Sequence, residues 1–282
     1  MERLSKLDSL GGWIAAATFV VFATMAADVA LAQGLASSKH NLGTGGTGGV
    51  HVTTGTSEIC VFCHTPHGGQ IGTAPLWNKN LPSTTYQLYG STGGESATLD
   101  GQVLVVGSVS QACLSCHDGT QAMDNMVNAP GSGGFSAGGA RPNAGAGYTW
   151  TAAVAGTGVM PAGVTNLSGD LRNDHPIGVQ YCGGGPTVAS PTTACRDPDF
   201  VAPQNGTPGG GAIAFWVDTT GGGAGTREKT DMILYKRTFT VNGGEGPSVE
   251  CGSCHDPHNN TNPTFLRIAN TGSALCLSCH VK

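Results

Sequence analysis

Charge is scarce in this 282-residue chain, with Asp, Glu, Lys and Arg together at 11%. Aromatic residues reach only 6% and the apolar set 39%, which leaves little for a core packed from the chain's own side chains. Gly 46 adds to the difficulty, because each Gly loses more backbone freedom on ordering than scattered Ala and Val return. A basic surplus is missing, the formal net charge being -5, and this argues against a nucleic-acid binder. The low charge argues equally against a chain kept disordered by self-repulsion. No long apolar run occurs after residue 32. What the chain does have is Cys 10 and His 9, the composition of a protein organised by disulfides, metal or cofactor.

At the start, Arg3 and Lys6 precede an apolar run from Trp13 to Ala27, followed by the small-x-small site Ala30-Leu31-Ala32. Residues 1–32 therefore read as a secretory signal peptide. An uncleaved anchor competes, but the run is short for a span and carries Thr18 and Thr24. The mature chain, 33–282, is then acidic and its thiols meet an oxidising compartment.

Cysteine spacing carries the decisive signal. Cys60-Val-Phe-Cys63-His64, Cys113-Leu-Ser-Cys116-His117, Cys251-Gly-Ser-Cys254-His255 and Cys276-Leu-Ser-Cys279-His280 are four copies of C-x-x-C-H. Each reads as a c-type haem attachment site. Two thiols one helical turn apart bond the haem vinyl groups while the next residue turns its imidazole onto the iron. Zinc held by paired C-x-x-C units does not require His after every second Cys. Thioredoxin-like motifs want a single C-x-x-C on a βαβ pattern.

The motifs fall into an internal repeat. The first half runs His40, Cys60 to His64, Pro66-His67, Pro75-Leu76, Cys113 to His117; the second runs His175, Cys251 to His255, Pro257-His258, Pro263 with Phe265-Leu266, Cys276 to His280. Each half supplies two attachment sites and four His, enough for two imidazoles per iron. Proximal ligands are His64, His117, His255 and His280; distal candidates are His40, His67, His175 and His258. His51 has no counterpart in the repeat and reads as a loop residue. His67 and His258 stand three residues after a proximal His, too close to reach the far face of the same haem, so each should serve another. Met123 and Met126 are expected to pack against porphyrin, as Met fills irregular gaps, in preference to binding iron. Cys182 and Cys195 remain after eight thiols are assigned, and a disulfide between them would contribute about 3 kcal/mol in the chain-entropy model.

The expected fold is mostly irregular coil, with short helices at the haem motifs, few strands, and haem faces serving as the core. Met232 to Val241 alternates as a strand or hairpin arm, and Gln102 to Ser108 is a weaker strand candidate. The tracts Gly131 to Gly163 and Gly206 to Gly225 read as surface loops or linkers. The expected organisation is a signal peptide (1–32), a first dihaem half (33–127), a Gly-rich linker (128–166) and a second dihaem half with inserted loops (167–282). Both halves should form one continuous haem-wrapping unit.

Ser38-Lys39-His40-Asn41-Leu42, Cys60 to His67, Pro75-Leu-Trp77-Asn78, Cys113 to Gly119, Asp174-His175-Pro176-Ile177-Gly178 and Cys251 to His258 together resemble multihaem cytochromes with doubled C-x-x-C-H motifs. Within that group the chain is similar to the tetrahaem subunits of extracellular cytochrome filaments, the OmcE-like nanowires. The resemblance implies four covalently bound haem c groups with bis-His ligation in a continuous row, and head-to-tail polymerisation into a conducting fibre. The tracts at the centre of the chain and the Cys182 to Cys195 loop do not map onto that family.

Electron transfer is thus the expected function, as a secreted filament subunit or as a soluble periplasmic shuttle, with redox proteins or external acceptors as partners. A multihaem nitrite- or hydroxylamine-type enzyme competes; it needs an iron with an exchangeable position and acid-base groups beside it, and the His count leaves no iron short. A head-to-tail contact repeated without closure gives an open filament. His40, eight residues past the expected cleavage site, either donates its imidazole to a neighbouring subunit or folds back on its own, leaving His175 or no residue to cross.

Overall fold

A computed structural model describes residues 34–90, 99–131, 134–140, 148–221 and 225–281. The expected signal peptide, 1–32, lies outside the described residues. Two short antiparallel pairs occupy the first half, β1 (Val52–Thr54) with β4 (Thr149–Trp150) and β2 (Met126–Asn128) with β3 (Phe135–Ala140). The second half builds a five-stranded antiparallel sheet of order β5-β9-β8-β7-β6. Its strands are β5 (Val179–Gln180), β6 (Gln204–Gly206), β7 (Ala214–Val217), β8 (Met232–Phe239) and β9 (Gly244–Val249). Three helices carry haem motifs: α1 (Ser108–His117), α2 (Cys251–Cys254) and α3 (Ala274–Cys279). Among the described residues no helix is long and apolar enough to cross a membrane.

This sheet overturns the expectation of a mostly irregular, haem-wrapping coil. In β8, Met232, Leu234 and Phe239 are buried while the residues between are more open, a half-buried strand. In β7 the run Phe215-Trp216-Val217 is buried without alternation, so both faces are covered. The register Phe215↔Leu234 and Val217↔Met232 turns four apolar side chains to one face, where Val179, Tyr181 and Val249 join them. Each such burial contributes about 1.5–3 kcal/mol. The composition is poor in apolar residues on average, but this segment concentrates them. For the same reason Gly206 to Gly225, expected as a loop, contains the interior strand β7, and Gly131 to Gly163 contains β3 and β4. The strand expected from Met232 is present as β8. Gln102 to Ser108 forms only an isolated bridge, Val103↔Val179, before α1 begins.

A second apolar cluster gathers Val52, Phe62, Met123, Met126, Trp150 and Val154. Phe62, from the single 3-10 turn Cys60–Phe62, meets Trp150 edge-on at 6.2 Å between ring centres. Cys182 and Cys195 are joined by a disulfide with Cα atoms 5.4 Å apart. The loop it closes is tied to the sheet, Val188 N–H donating to Glu245 O at 2.7 Å.

Candidate haem-attachment sites

Each motif has its own local support. In α1, Cys113 and Cys116 lie three residues apart on one helix face, and Ala112, Leu114 and Ser115 are buried. The helix stops at Asp118, whose carboxylate accepts from Thr120 N–H (2.9 Å), Tyr86 hydroxyl (2.8 Å) and Thr84 hydroxyl (3.0 Å). Burial, and secondarily Asp118, push the Tyr86 phenol well above its ordinary range. Strand β9 runs directly into α2, which opens with a reciprocal capping box between Glu250 and Ser253. Glu250 is buried and accepts from Ser110 of α1 (2.6 Å), Ser248 (3.0 Å) and Arg237 of β8 (2.8 Å). Its carboxyl is raised by burial, against the pull of Ser110 and Arg237. Glu250 thereby fixes the second motif to the third. The fourth motif is pinned to the chain beside the disulfide loop by Val201 N–H to Cys279 O (2.9 Å) and Val281 N–H to Asp199 O (2.7 Å).

The first and third motifs share one backbone frame. Thr65 N–H donates to Leu76 O at 2.9 Å, and Asp256 N–H donates to Phe265 O at 2.8 Å. Asn78 N–H reaches Cys63 O at 2.8 Å, and Arg267 N–H reaches Cys254 O at 2.9 Å. Leu76 and Phe265 both adopt positive φ, at 54° and 60°, where the returning chain turns. That return brings a carbonyl to each proximal ring: His64 Nδ1 meets Pro75 O at 2.7 Å and His255 Nδ1 meets Thr264 O at 2.7 Å. His117 Nδ1 meets Thr165 O at 2.8 Å in the same way. A carbonyl only accepts, so Nδ1 carries the proton and Nε2 keeps its lone pair for a metal.

The thiols follow one another in sequence order. Cys63 acts electrostatically on Cys113 and is itself acted on by Cys116; Cys113 hydrogen-bonds Cys251, and Cys276 acts on Cys254. Burial, then Cys116, push the Cys63 thiol up to about 12. The shared hydrogen bond moves Cys113 up and Cys251 down.

Two distal candidates lie against proximal rings. His258 faces His64 at 6.0 Å between ring centres, the planes 19° apart, with His258 Nδ1 3.5 Å from Asp256 Oδ1. His40 faces His117 at 6.2 Å with planes at 66°, its Nδ1 3.3 Å from Pro257 O and its ring stacked on Phe265 at 4.2 Å. Burial, then His117, lower His40 to about 4, so at neutral pH its imidazole is uncharged. His40 thus folds back on its own chain. His67 and His175 are exposed, and neither ring packs on another aromatic ring among the described residues. His175 Nδ1 meets its neighbour Pro176 O at 3.0 Å. His51 is half-buried, with Nδ1 2.7 Å from Gly48 O. Met123 and Met126 fill the cluster around Phe62.

These residues fit haem. An imidazole on each side of one metal, with metal–nitrogen bonds of about 2 Å as His makes to zinc, puts the ring centres about 6 Å apart. Among the described residues no group of three or more His, Cys, Asp and Glu side chains gathers as a bare metal ion requires. Sequence reasoning missed Asp118 and Glu250, and also Lys79 and Arg267, two buried cations beside Cys63 and Cys254. The repeat held no signal for the cations, since Arg267 takes the place of Asn78 in the shared frame and Lys79 stands one residue further on.

A family model described as doubled CXXCH motif matches residues 242–282. None of the curated proteins matches the chain. The doubled motif supports a multihaem c-type cytochrome, an electron carrier with covalently bound haem c.

Proposed function

We propose that each of the four motifs holds one haem, that every iron has two His ligands, and that the chain is the subunit of an extracellular conductive filament. The observation that carries this reading is the pair of facing imidazoles, His64 with His258 and His117 with His40, each pair at the separation of two ligands on one iron. Haem supplies a one-electron iron couple when bound. Cys60, Cys63, Cys113, Cys116, Cys251, Cys254, Cys276 and Cys279 anchor the groups covalently. Carbonyls of Pro75, Thr165 and Thr264 orient the rings of His64, His117 and His255. His67 and His175 supply the two remaining distal ligands. With two imidazoles on every iron no position is open to a substrate, and the chain carries electrons without transforming one.

Export by the segment 1–32 takes the chain to the cell surface, where head-to-tail contacts build the fibre. Exposed apolar residues stand near two motifs, Ile71 and Leu76 after the first and Leu277 and Val281 at the fourth, and support such contacts. Because His40 is turned inward, the exposed His175 is the ligand that crosses between subunits. The mass of the denatured mature chain tests the cofactor count: four haem increments are expected, and fewer would overturn it. Negative-stain imaging of secreted wild type and His175→Ala tests assembly. Fibres that vanish in the variant with haem loading intact support the reading; single particles in the wild type identify a soluble periplasmic shuttle.

A further inference from the structure

The two facing imidazole pairs differ in the angle between their planes. His258 lies 19° from the plane of His64, so these rings are near parallel, whereas His40 is turned 66° from the plane of His117. What turns His40 comes from the chain returning after the third motif. The Phe265 ring lies flat on it, the planes 9° apart and the centres 4.2 Å apart. His40 Nδ1 also meets Pro257 O at 3.3 Å, but a carbonyl accepts over a broad range of directions and leaves the imidazole free to tilt about that contact. A flat stack on a fixed ring does not. Among the described residues no aromatic ring other than His64 packs on His258.

Phe265 is itself held in place. Its N–H donates to Asn262 O at 3.2 Å and its carbonyl accepts from Asp256 N–H at 2.8 Å, while Arg267 N–H, two residues on, reaches Cys254 O at 2.9 Å. In the first motif the same place in the frame, with the same positive φ, belongs to Leu76, which is exposed. Leucine makes that turn and offers no flat face. The aromatic ring is therefore not needed for the turn, and its contact with His40 is what sets the third frame apart from the first.

We infer that Phe265 is a positioning residue: by stacking on His40 it holds the two imidazoles of the second haem in crossed planes, while those of the first stay near parallel. This rests on the reading of two His per iron. In low-spin ferric haem each imidazole acts through its π electrons on one of two iron d orbitals. Parallel rings act on the same orbital and separate the pair in energy, whereas crossed rings act on both and leave them nearly equal. A nearly equal pair keeps a large orbital moment, which gives a more anisotropic electron paramagnetic resonance signal with a higher maximum g.

That resonance, recorded and quantified on the oxidised, haem-loaded protein, tests the inference. The wild type should show both a rhombic signal and a highly anisotropic one. Phe265→Leu, which puts the first motif's own residue in the frame, should remove one haem's share of the highly anisotropic signal with every iron still low spin. Phe265→Tyr should retain it. Phe265→Gly, suited to the positive φ, removes the ring as well and decides the matter should Phe265→Leu fail to load haem. An undiminished anisotropic signal in a haem-loaded variant lacking the ring would overturn the inference, as would its loss in Phe265→Tyr and Phe265→Leu alike. A wholly low-spin wild type with rhombic signals alone would overturn it too. High-spin iron in the wild type would overturn the reading of two His per iron on which it rests, so the two failures are told apart.

Discussion

The first motif and the third hold their proximal rings with the same two backbone contacts and one ring-to-carbonyl contact on different foundations. Cys60–Phe62 is a lone 3-10 turn resting on a small cluster of Phe62, Trp150 and Met123. Cys251–Cys254 is launched from the end of β9, with a capping box and the buried Glu250 carboxylate behind it. The geometry that orients an imidazole is therefore local, made by the chain returning past a positive-φ residue, and does not depend on a sheet. What the sheet adds is coupling, because Glu250 joins β8, β9, α1 and α2 in one network.

The strongest way to break that comparison is Glu250→Ala, which leaves the partly covered Arg237 without its carboxylate and should cost about 3 kcal/mol. Hydrogen exchange on the haem-loaded protein should show protection lost in β8, β9 and α2 while β1 and the segment around Asn78 keep theirs. Equal loss in both regions would show that the first motif also depends on the sheet. Next comes removal of the disulfide by Cys182→Ala with Cys195→Ala, expected to cost about 3 kcal/mol by freeing the loop in the unfolded chain. Denaturant unfolding measures it, and the fourth motif, pinned beside that loop, should open first.

At the first motif, Asn78 is the matching target. It donates from Nδ2 to Val61 O (2.6 Å) and Asn128 O (2.9 Å), and its Oδ1 accepts from Asn128 N–H (2.8 Å). Asn78→Ala leaves these buried groups unpaired, at about 1–3 kcal/mol, and should loosen the first motif alone by hydrogen exchange. The smallest effect belongs to the half-exposed pair of Lys236 and Glu245, 3.7 Å apart. Lys236→Ala should change unfolding free energy by about 0–1 kcal/mol, and a larger loss would mean the sheet leans on its surface charges.

The chemistry of attachment was legible because thioether spacing is written in consecutive residues. Strand β8 was legible because Met232 and Leu234 alternate with more open positions. Strand β7 was not, since Ala214 to Val217 is four residues among glycines and lacks the alternation that separates a strand from a loop. The imidazole pairs were hidden for a different reason. His40 reaches His117, and His258 reaches His64, across long stretches of chain, so the count of His gave candidates without partners. Nothing in the sequence singled out Lys79, because the three carbonyls that hold its Nζ come from a turn remote in sequence.

The central claim is that His258 and His40 complete the coordination begun by His64 and His117. The absorption spectrum of the oxidised, haem-loaded protein tests it most directly, read for the wild type, His258→Ala, His40→Ala and His51→Ala. The wild type and His51→Ala should show no high-spin charge-transfer band, and His258→Ala and His40→Ala should each gain one from a single haem. A band already present in the wild type, or low-spin spectra in both variants, would contradict the assignment.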